Sequence, residues 1–385
     1  MNDWLAEHPE VRSVFTAVAD LNGQARGKRL PVGRAAKASG GEMRMPLSVL
    51  NVDIWGDDIE DSPLVFETGD RDGVLRPTER GFVPTPWLAT PAAMLPMWMF
   101  TEAGAPFSGD PRHALKAVLD RYAERGWSVV AATELEFYLI DDSEDVLKPP
   151  PSPRSGKRRL GGEILSLRAL DAFDAFFTEL YDACEAMGIP AETAISESGL
   201  GQYEMNLVHG PAMQAADDAW LFKTLVRGLA RKHGFAATFM AKPYDDWSGS
   251  GMHLHFSVLD LEDQNVFDNG GDAGTDILHY AVAGCLEGAG PRPVGAECSG
   301  HSDCSDGLMC EYGRCRSECD FDRDCPGGGV CVASESDPDV RVCTLDVEAD
   351  CSGSDLVCPD GLGCAPDGRC RQECVRDEEC GGLQA

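Results

Sequence analysis

The sequence predicts an α+β fold in three parts. These are a small β-rich domain over residues 1–108, an antiparallel sheet with helices over 109–289, and small cysteine-rich repeats over 290–385. Three observations predict it. Residues 10–35 alternate in polarity around a turn, as a hairpin does. Strand-like and helix-like segments follow one another from 110 to 289, the pattern of a layered α/β or α+β domain. Finally, fourteen of the sixteen cysteines crowd between Cys298 and Cys380, leaving only Cys184 and Cys285 ahead of them.

Composition narrows the function classes. The net charge is −32, split as −19 before residue 291 and −13 after it, which argues against a basic nucleic-acid-binding surface. No stretch approaches the roughly 18 apolar residues that a membrane span needs. The start, Met1 to His8, lacks the basic and apolar regions of a signal peptide, so a cytoplasmic protein is expected.

The elements follow in order. Val11–Val18 and Ala25–Leu30 flank the turn Asp20-Leu21-Asn22-Gly23. Residues 40–108 read as irregular and Pro-rich with short apolar runs, ending in a linker. Asp110 and Pro111 are a good N-cap and first-turn pair for a helix that Gly126 closes. Ser128–Ile140 reads as a strand. Pro149–Arg159 reads as a solvated loop, because Ser155-Gly156-Lys157 lacks the rest of a phosphate-binding loop. Leu167–Met187 is expected as one amphipathic helix with Leu170, Phe173, Phe176, Phe177, Leu180 and Tyr181 on its apolar side. Strands are expected at Ala191–Ser196, Gln202–Val208, Phe235–Lys242 and Met252–Leu259, and helices at Ala212–His233 and Ile277–Glu287.

Three of these strands each offer one polar face inside an apolar run. Period-2 alternation puts Glu134 with Glu136, Gln202 with Glu204 and Asn206, and His253 with His255 and Ser257. Taken singly, such faces are ordinary solvent faces. Taken together they carry no lysine, and carboxylates with an imidazole form the ligand set of hard divalent ions such as Mg²⁺ or Mn²⁺. A His-x-His pair also suits zinc, but without a nearby cysteine zinc is the poorer match.

Four ordered motifs carry a family resemblance: Asp20-x-x-Gly23-x-x-Arg26-Gly27-Lys28, Glu134-x-Glu136, Glu197-Ser-Gly-Leu-Gly-Gln-Tyr-Glu204, and Lys242-Pro243 followed by Gly249-Ser-Gly-Met-His253-x-His255-x-Ser257. From about residue 5 to 288 the chain resembles the glutamine synthetase family, most closely its γ-glutamylpolyamine (γ-glutamylputrescine) synthetase branch. The resemblance implies a β-grasp-like N-terminal domain and a glutamine synthetase-like catalytic domain. It implies that Glu136, Glu197 and Glu204 hold one Mg²⁺ or Mn²⁺ ion, and Glu134 and His253 a second. It sets Glu192, His255 and Ser257 against ATP, and Gly249 together with His253 at the glutamate substrate. The implied chemistry joins the glutamate γ-carboxylate to ammonia or an amine through γ-glutamyl phosphate, in a homo-oligomer where the catalytic domain is complete.

Two departures modify that expectation. Met45-Pro46-Leu47-Ser48 stands where glutamine synthetases proper carry an Asp-Gly-Ser ammonium-site stretch, and Ser248 stands in place of an Asn. Both point to an amine larger than ammonia. The family's later Asn-Pro and Arg-x-Glu-x-Arg segments are not found, so the catalytic domain is expected to be incomplete and the ligase a poor one.

The tail repeats itself, since Asp306–Cys319 followed by Cys325 aligns with Asp360–Cys374 followed by Cys380. With few large apolar residues and no Cys-x-x-Cys pair, disulfides rather than zinc are expected to hold it. It resembles repeats of secreted bacterial proteins by spacing, which conflicts with a cytoplasmic first part. Alternatives to the ligase are therefore a composite or mis-assembled chain without activity, or a secreted cysteine-rich binding protein.

Overall fold

The computed structural model describes residues 2–59, 62–143, 147–158, 161–271 and 273–288. In the tail it describes segments 308–311, 314–317, 331–333, 341–343, 362–364 and 370–372, with residue 319. Contacts divide the chain into two units, Met1–Thr275 and Asp276–Ala385. The sequence reading draws its boundaries at 108 and 289 instead.

The first unit opens with α1 (Asn2–Glu7) and the expected hairpin of β1 (Ser13–Ala19) and β2 (Ala25–Pro31). Asp20 organises the turn: its buried carboxylate accepts from the backbone N–H of Asn22 at 2.9 Å and of Gln24 at 2.7 Å, and from Arg26 Nε at 2.7 Å. Gly23 takes the left-handed conformation that this turn needs, with φ +69°.

The segment read as irregular contributes four strands. After α2 (Ala35–Ser39) come β3 (Met43–Pro46), α3 (Pro63–Phe66), β4 (Asp72–Pro77), β5 (Val83–Pro84) and β6 (Ala92–Phe100). The resulting six-stranded sheet has the order β2-β1-β6-β4-β3, with β5 also on β6. Only the β1–β6 pairing is parallel. Nearly every residue of β6 is buried, so its sequence carries no polar alternation from which a strand can be read.

The second sheet is built on β7 (Ser128–Ile140), which follows α4 (Pro111–Ala123). Asp110 caps α4 as expected, accepting from Arg112 N at 2.9 Å with one oxygen and from Met99 N at 2.8 Å with the other. After α5 (Leu167–Asp171) and α6 (Asp174–Met187) come β8 (Ala191–Ser196), β9 (Gln202–Pro211), α7 (Ala212–Lys232), β10 (Ala236–Thr238) and β11 (Met252–Leu259). The strand order is β10-β7-β9-β8, with β11 sharing the β10 side of β7. The odd-numbered residues Leu135, Phe137 and Leu139 pack with the apolar faces of α6 and α7. Arg80 crosses from the first sheet to pair with Asp218 of α7 and to donate to the carbonyls of Met187 (2.8 Å) and Gly188 (2.9 Å). Arg112 pairs with Asp217 and lies 4.2 Å from the Trp98 ring centroid.

Three element expectations are corrected. The single helix Leu167–Met187 breaks at Ala172–Phe173, because Phe173 leaves helical geometry (φ −123°, ψ 28°) and packs edge-on against Tyr203 and Phe235. Tyr181, expected on the apolar side, is exposed. The strand Phe235–Lys242 shortens to Ala236–Thr238, since β11 occupies the rest of that side of β7.

Glu179 joins α6 to the end of α7, accepting from Lys232 Nζ and facing His233 Nε2 at 2.7 Å. Burial alone would push its carboxyl up, but the Lys232 and His233 contacts outweigh that and hold it below 4.5. A depressed carboxylate contributes stability that is present above the ordinary carboxylate range and is lost as pH falls through the lowered value. Glu179→Gln should therefore cost up to about 1 kcal/mol at neutral pH, and the gap should close on acidification. Urea titrations across that window check this; a gap independent of pH contradicts it.

The second unit begins with α8 (Asp276–Gly288) and continues as three antiparallel pairs. They are β12 (Leu308–Glu311) with β13 (Arg314–Ser317), β14 (Cys331–Ala333) with β15 (Arg341–Cys343), and β16 (Leu362–Cys364) with β17 (Cys370–Gln372). Cys310 lies opposite Cys315 and Cys364 opposite Cys370, so the two aligned halves of the repeat form hairpins at equivalent places. Cys319 and Cys331 form a disulfide, with Cα atoms 5.9 Å apart, and Cys343 is disulfide-bonded as well. Cys298, Cys304, Cys325, Cys351, Cys358, Cys374 and Cys380 lie outside the described residues. Among the described residues, no helix is long and apolar enough to cross a membrane.

Candidate functional site

The even-numbered face of β7 presents Glu134, Glu136 and Tyr138. Antiparallel register with β9 sets these opposite Asn206, Glu204 and Gln202, respectively. On the other side of β7, register sets His253 opposite Glu134, His255 opposite Ala132 and Ser257 opposite Val130. Glu197 follows β8 directly, with its backbone N–H on Gln202 O at 3.0 Å. The period-2 expectation therefore holds for all three strands, and their polar faces meet.

Glu134 lies between the two histidines, with His253 Nδ1 at 2.7 Å from Oε2 and His255 Nε2 at 3.2 Å from Oε1. Ligand atoms of Glu134, Glu204 and His253 all lie within 4.8 Å of one another. The resemblance groups Glu204 with Glu136 and Glu197 instead. In the structure Glu136 is turned toward Gln202, whose Nε2 donates to Glu136 Oε2 at 2.8 Å.

The electrostatics describe one crowded cluster. Burial first, and then the like charges of Glu134, Glu197 and Glu136, push the Glu204 carboxyl up, with His253 partly offsetting them. Burial and Glu136 raise Glu197 likewise. The hydrogen bond from His253 holds Glu134 down, and the same bond raises His253. Burial, Tyr244, Glu136 and Glu197 together push the Tyr138 phenol up to about 12. Asn206 Oδ1, on the same face, is buried without a hydrogen-bond partner. Carboxylates crowded beside two imidazoles and an orphaned carbonyl oxygen suit a hard divalent cation that would offset their repulsion.

Gly251 lets backbone approach the cluster, and Gly249 lets the same loop pack closely on Ala241. A Cβ on Gly251 would lie 3.0 Å from Glu136 Oε1, and one on Gly249 would lie 2.7 Å from Ala241 O. Two predicted residues stand apart from the carboxylates: Glu192 is exposed at the β8 bulge, and Ser257 sits four residues along β11 from His253. The role of Gln202 and Tyr138 escapes the sequence reading, although their parity with Glu204 and Glu136 is visible there. A cavity of about 470 Å³ lies on the opposite face of β7 and β11, lined by Leu115, Leu119, Val129, Trp220, Leu254 and Phe256 among others. Its lining includes no carboxylate or imidazole, in contrast to the polar face.

The family model for the glutamine synthetase catalytic domain matches residues 108–291. Over these residues the chain is similar to the glutamine synthetase family. One relative is γ-glutamylputrescine synthetase PuuA of Escherichia coli (strain K12), 35% identical over 288 residues, covering 74% of this chain and 61% of that protein. Another is the glutamate–isopropylamine ligase of a Pseudomonas species, 34% identical over 185 residues, covering 48% of this chain and 40% of the relative. Among solved structures, a novel glutamine synthase homolog superposes with a TM-score of 0.64 at 25% identity over 72% of this chain and 62% of its own. Ligand-free GmaS gives 0.62 at 25% identity, over 74% and 63%. The chain thus spans about three-fifths or less of these glutamine synthetase relatives. The carboxylate–histidine face lies within the matched residues.

Proposed function

We propose that the chain is an ATP-dependent ligase that joins the glutamate γ-carboxylate to an amine, and that Glu134, Glu136, Glu197, Glu204 and His253 are its ion-binding residues. The convergence of Glu134, Glu136, Glu204 and His253 on one sheet face, with Glu197 near enough after β8 for its charge to act on Glu204, carries the reading. In this assignment Glu136, Glu197 and Glu204 hold one Mg²⁺ or Mn²⁺, and Glu134 and His253 a second. Bound divalent ions offset the charge of the ATP phosphates. His255, Ser257 and Glu192 are assigned to the nucleotide, and the Gly249 backbone to glutamate. The γ-carboxylate oxygen attacks the ATP γ-phosphorus and ADP leaves. The amine nitrogen then attacks the acyl carbon, phosphate leaves, and a proton is lost from nitrogen. The chain's contribution is alignment of the two reactants in a fixed polar frame.

The amine is proposed to be larger than ammonia. Two relatives are named for putrescine and isopropylamine, and Ser248, whose Oγ lies 2.6 Å from Ser198 Oγ, replaces a longer side chain at the rim. Met45 and Ser48 support the point less, since both are buried and Ser48 Oγ is committed to Asp70 at 2.6 Å. The test supplies the full chain with MgATP, glutamate, and putrescine, isopropylamine or ammonium in parallel, and reads γ-glutamyl product by mass spectrometry. Turnover is expected to be low, as for an incomplete catalytic domain, with product from either organic amine ahead of ammonium. A preference for ammonium overturns the substrate assignment. No product with any amine, together with no Mn²⁺ binding, overturns the ligase reading.

A further inference from the structure

Gln202 is 1% exposed and its amide is engaged at both ends. Its Nε2 donates to Glu136 Oε2 and to Gly249 O, both at 2.8 Å. Its Oε1 accepts from Tyr138 Oη at 3.1 Å and from Gly199 N at 3.0 Å. A glutamine amide has two donor hydrogens, both used here, and its oxygen takes the Gly199 N–H and faces the Tyr138 hydroxyl. The partners also dictate which way the amide points. Reversed, its oxygen would face a carboxylate and a carbonyl, neither of which can donate.

The four partners come from three separate pieces of chain: β7, the turn between β8 and β9, and the loop ahead of β11. Tyr138 Oη also lies 2.6 Å from Ser248 O, so its single hydrogen is shared between that carbonyl and Gln202 Oε1. Gly199 is needed for the arrangement, because a Cβ there would lie 1.9 Å from Tyr138 Oη and 2.6 Å from Gln202 Oε1. Gln202 therefore commits one oxygen of Glu136 and leaves Oε1 as the oxygen free to meet a cation. Without it, the carboxylate would be free to rotate away from the like charges of Glu197 and Glu204.

We propose that Gln202 is the positioning residue of the ion site, holding Glu136 and the Ser248–Gly251 loop in one frame, so that ion binding and loop order depend on each other. The inference rests on the reading of Glu136 as an ion-binding residue. A purely structural Gln202 predicts something different: its loss would lower the melting temperature equally with and without the ion, leaving ion affinity alone.

The experiment uses the full chain, Gln202→Met (similar in shape, without the amide), Tyr138→Phe and Glu136→Ala. Mn²⁺ is titrated with the free ion read by electron paramagnetic resonance, Tm is measured with and without Mn²⁺, and amide exchange is followed over 248–251. Gln202→Met should weaken Mn²⁺ binding by about 10–100-fold, the usual effect of removing a partner that orients a ligand. It should also shrink the Tm rise that Mn²⁺ produces and abolish the ion-dependent slowing of exchange in the loop. Tyr138→Phe should move all three readouts in the same direction by less. A folded Gln202→Met protein with unchanged Mn²⁺ affinity overturns the proposal. Where Gln202→Met fails to fold, unchanged affinity in Tyr138→Phe overturns it instead. Mn²⁺ binding that is absent from the unmodified chain, or indifferent to Glu136→Ala, overturns the underlying ion reading and this proposal with it.

Discussion

Replacing Glu204 by glutamine should abolish tight divalent-ion binding and, at the same time, raise the melting temperature of the ion-free protein. The two effects have one cause. Glu204 is buried among Glu134, Glu136 and Glu197, and burial followed by their charges pushes its carboxyl above the ordinary range. An acid raised in this way binds protons more readily folded than unfolded. The ion-free fold therefore loses stability as pH rises from the ordinary carboxylate value through the raised one. A neutral amide of the same shape removes that penalty, worth on the order of a few degrees in Tm, and should flatten the pH dependence in that window. It also removes a ligand, which should weaken Mn²⁺ by more than the roughly 10–100-fold expected from losing a supporting partner. Calorimetry with and without Mn²⁺ across pH reads both. Retained affinity, or a lower ion-free Tm, would sink the assignment of Glu204.

Phe137→Ala should be the most damaging single truncation in the sheet, at about 3–5 kcal/mol. The ring is fully buried on β7 and lies 5.4 Å from the centroid of Phe239 and 6.3 Å from those of Tyr203 and Phe222. Contacts come from β9, α7 and the stretch after β10, so no single neighbour can collapse into the gap. Phe137→Leu, which keeps most of the volume, should cost well under half of that. Urea unfolding of both variants measures the difference. A cost near 1 kcal/mol for the alanine would mean that the site relaxes as a unit and that the aromatic cluster is not what fixes the strand.

Legibility in the sequence tracked local chemistry. The limits of β7, β8 and β11 were readable to the residue because turn and cap signals bound them, as Gly126 and Asp110 do for α4. The ion-site face was readable because strand parity is arithmetic: Glu134, Glu136, Glu204 and His253 share it whatever the tertiary arrangement. β6 was lost because it is buried on both faces and shows no alternation. The break at Phe173 was lost because the sequence repeats apolar residues at helical spacing straight through it, and only the packing of Tyr203 and Phe235 draws the ring out of line. The role of Gln202 was lost for another reason. Its four partners are spread over more than a hundred residues of chain, and no spacing rule joins Tyr138 to Gly249.

β7 has a consequence for how this protein can vary. Its odd-numbered side chains are hydrophobic core and its even-numbered ones are the carboxylate face, over the same short run. A single-residue insertion or deletion would exchange the two sets along the rest of the strand, sending Glu134 and Glu136 into the aromatic cluster and Leu135 and Phe137 toward water. No half-way register keeps either the interior or the chemistry. Point substitutions can accumulate in this strand, whereas a change of length needs a bulge to absorb it, as at the register shift between Ala131 and Thr133. Length variation among relatives should therefore fall mainly in the loops that flank it.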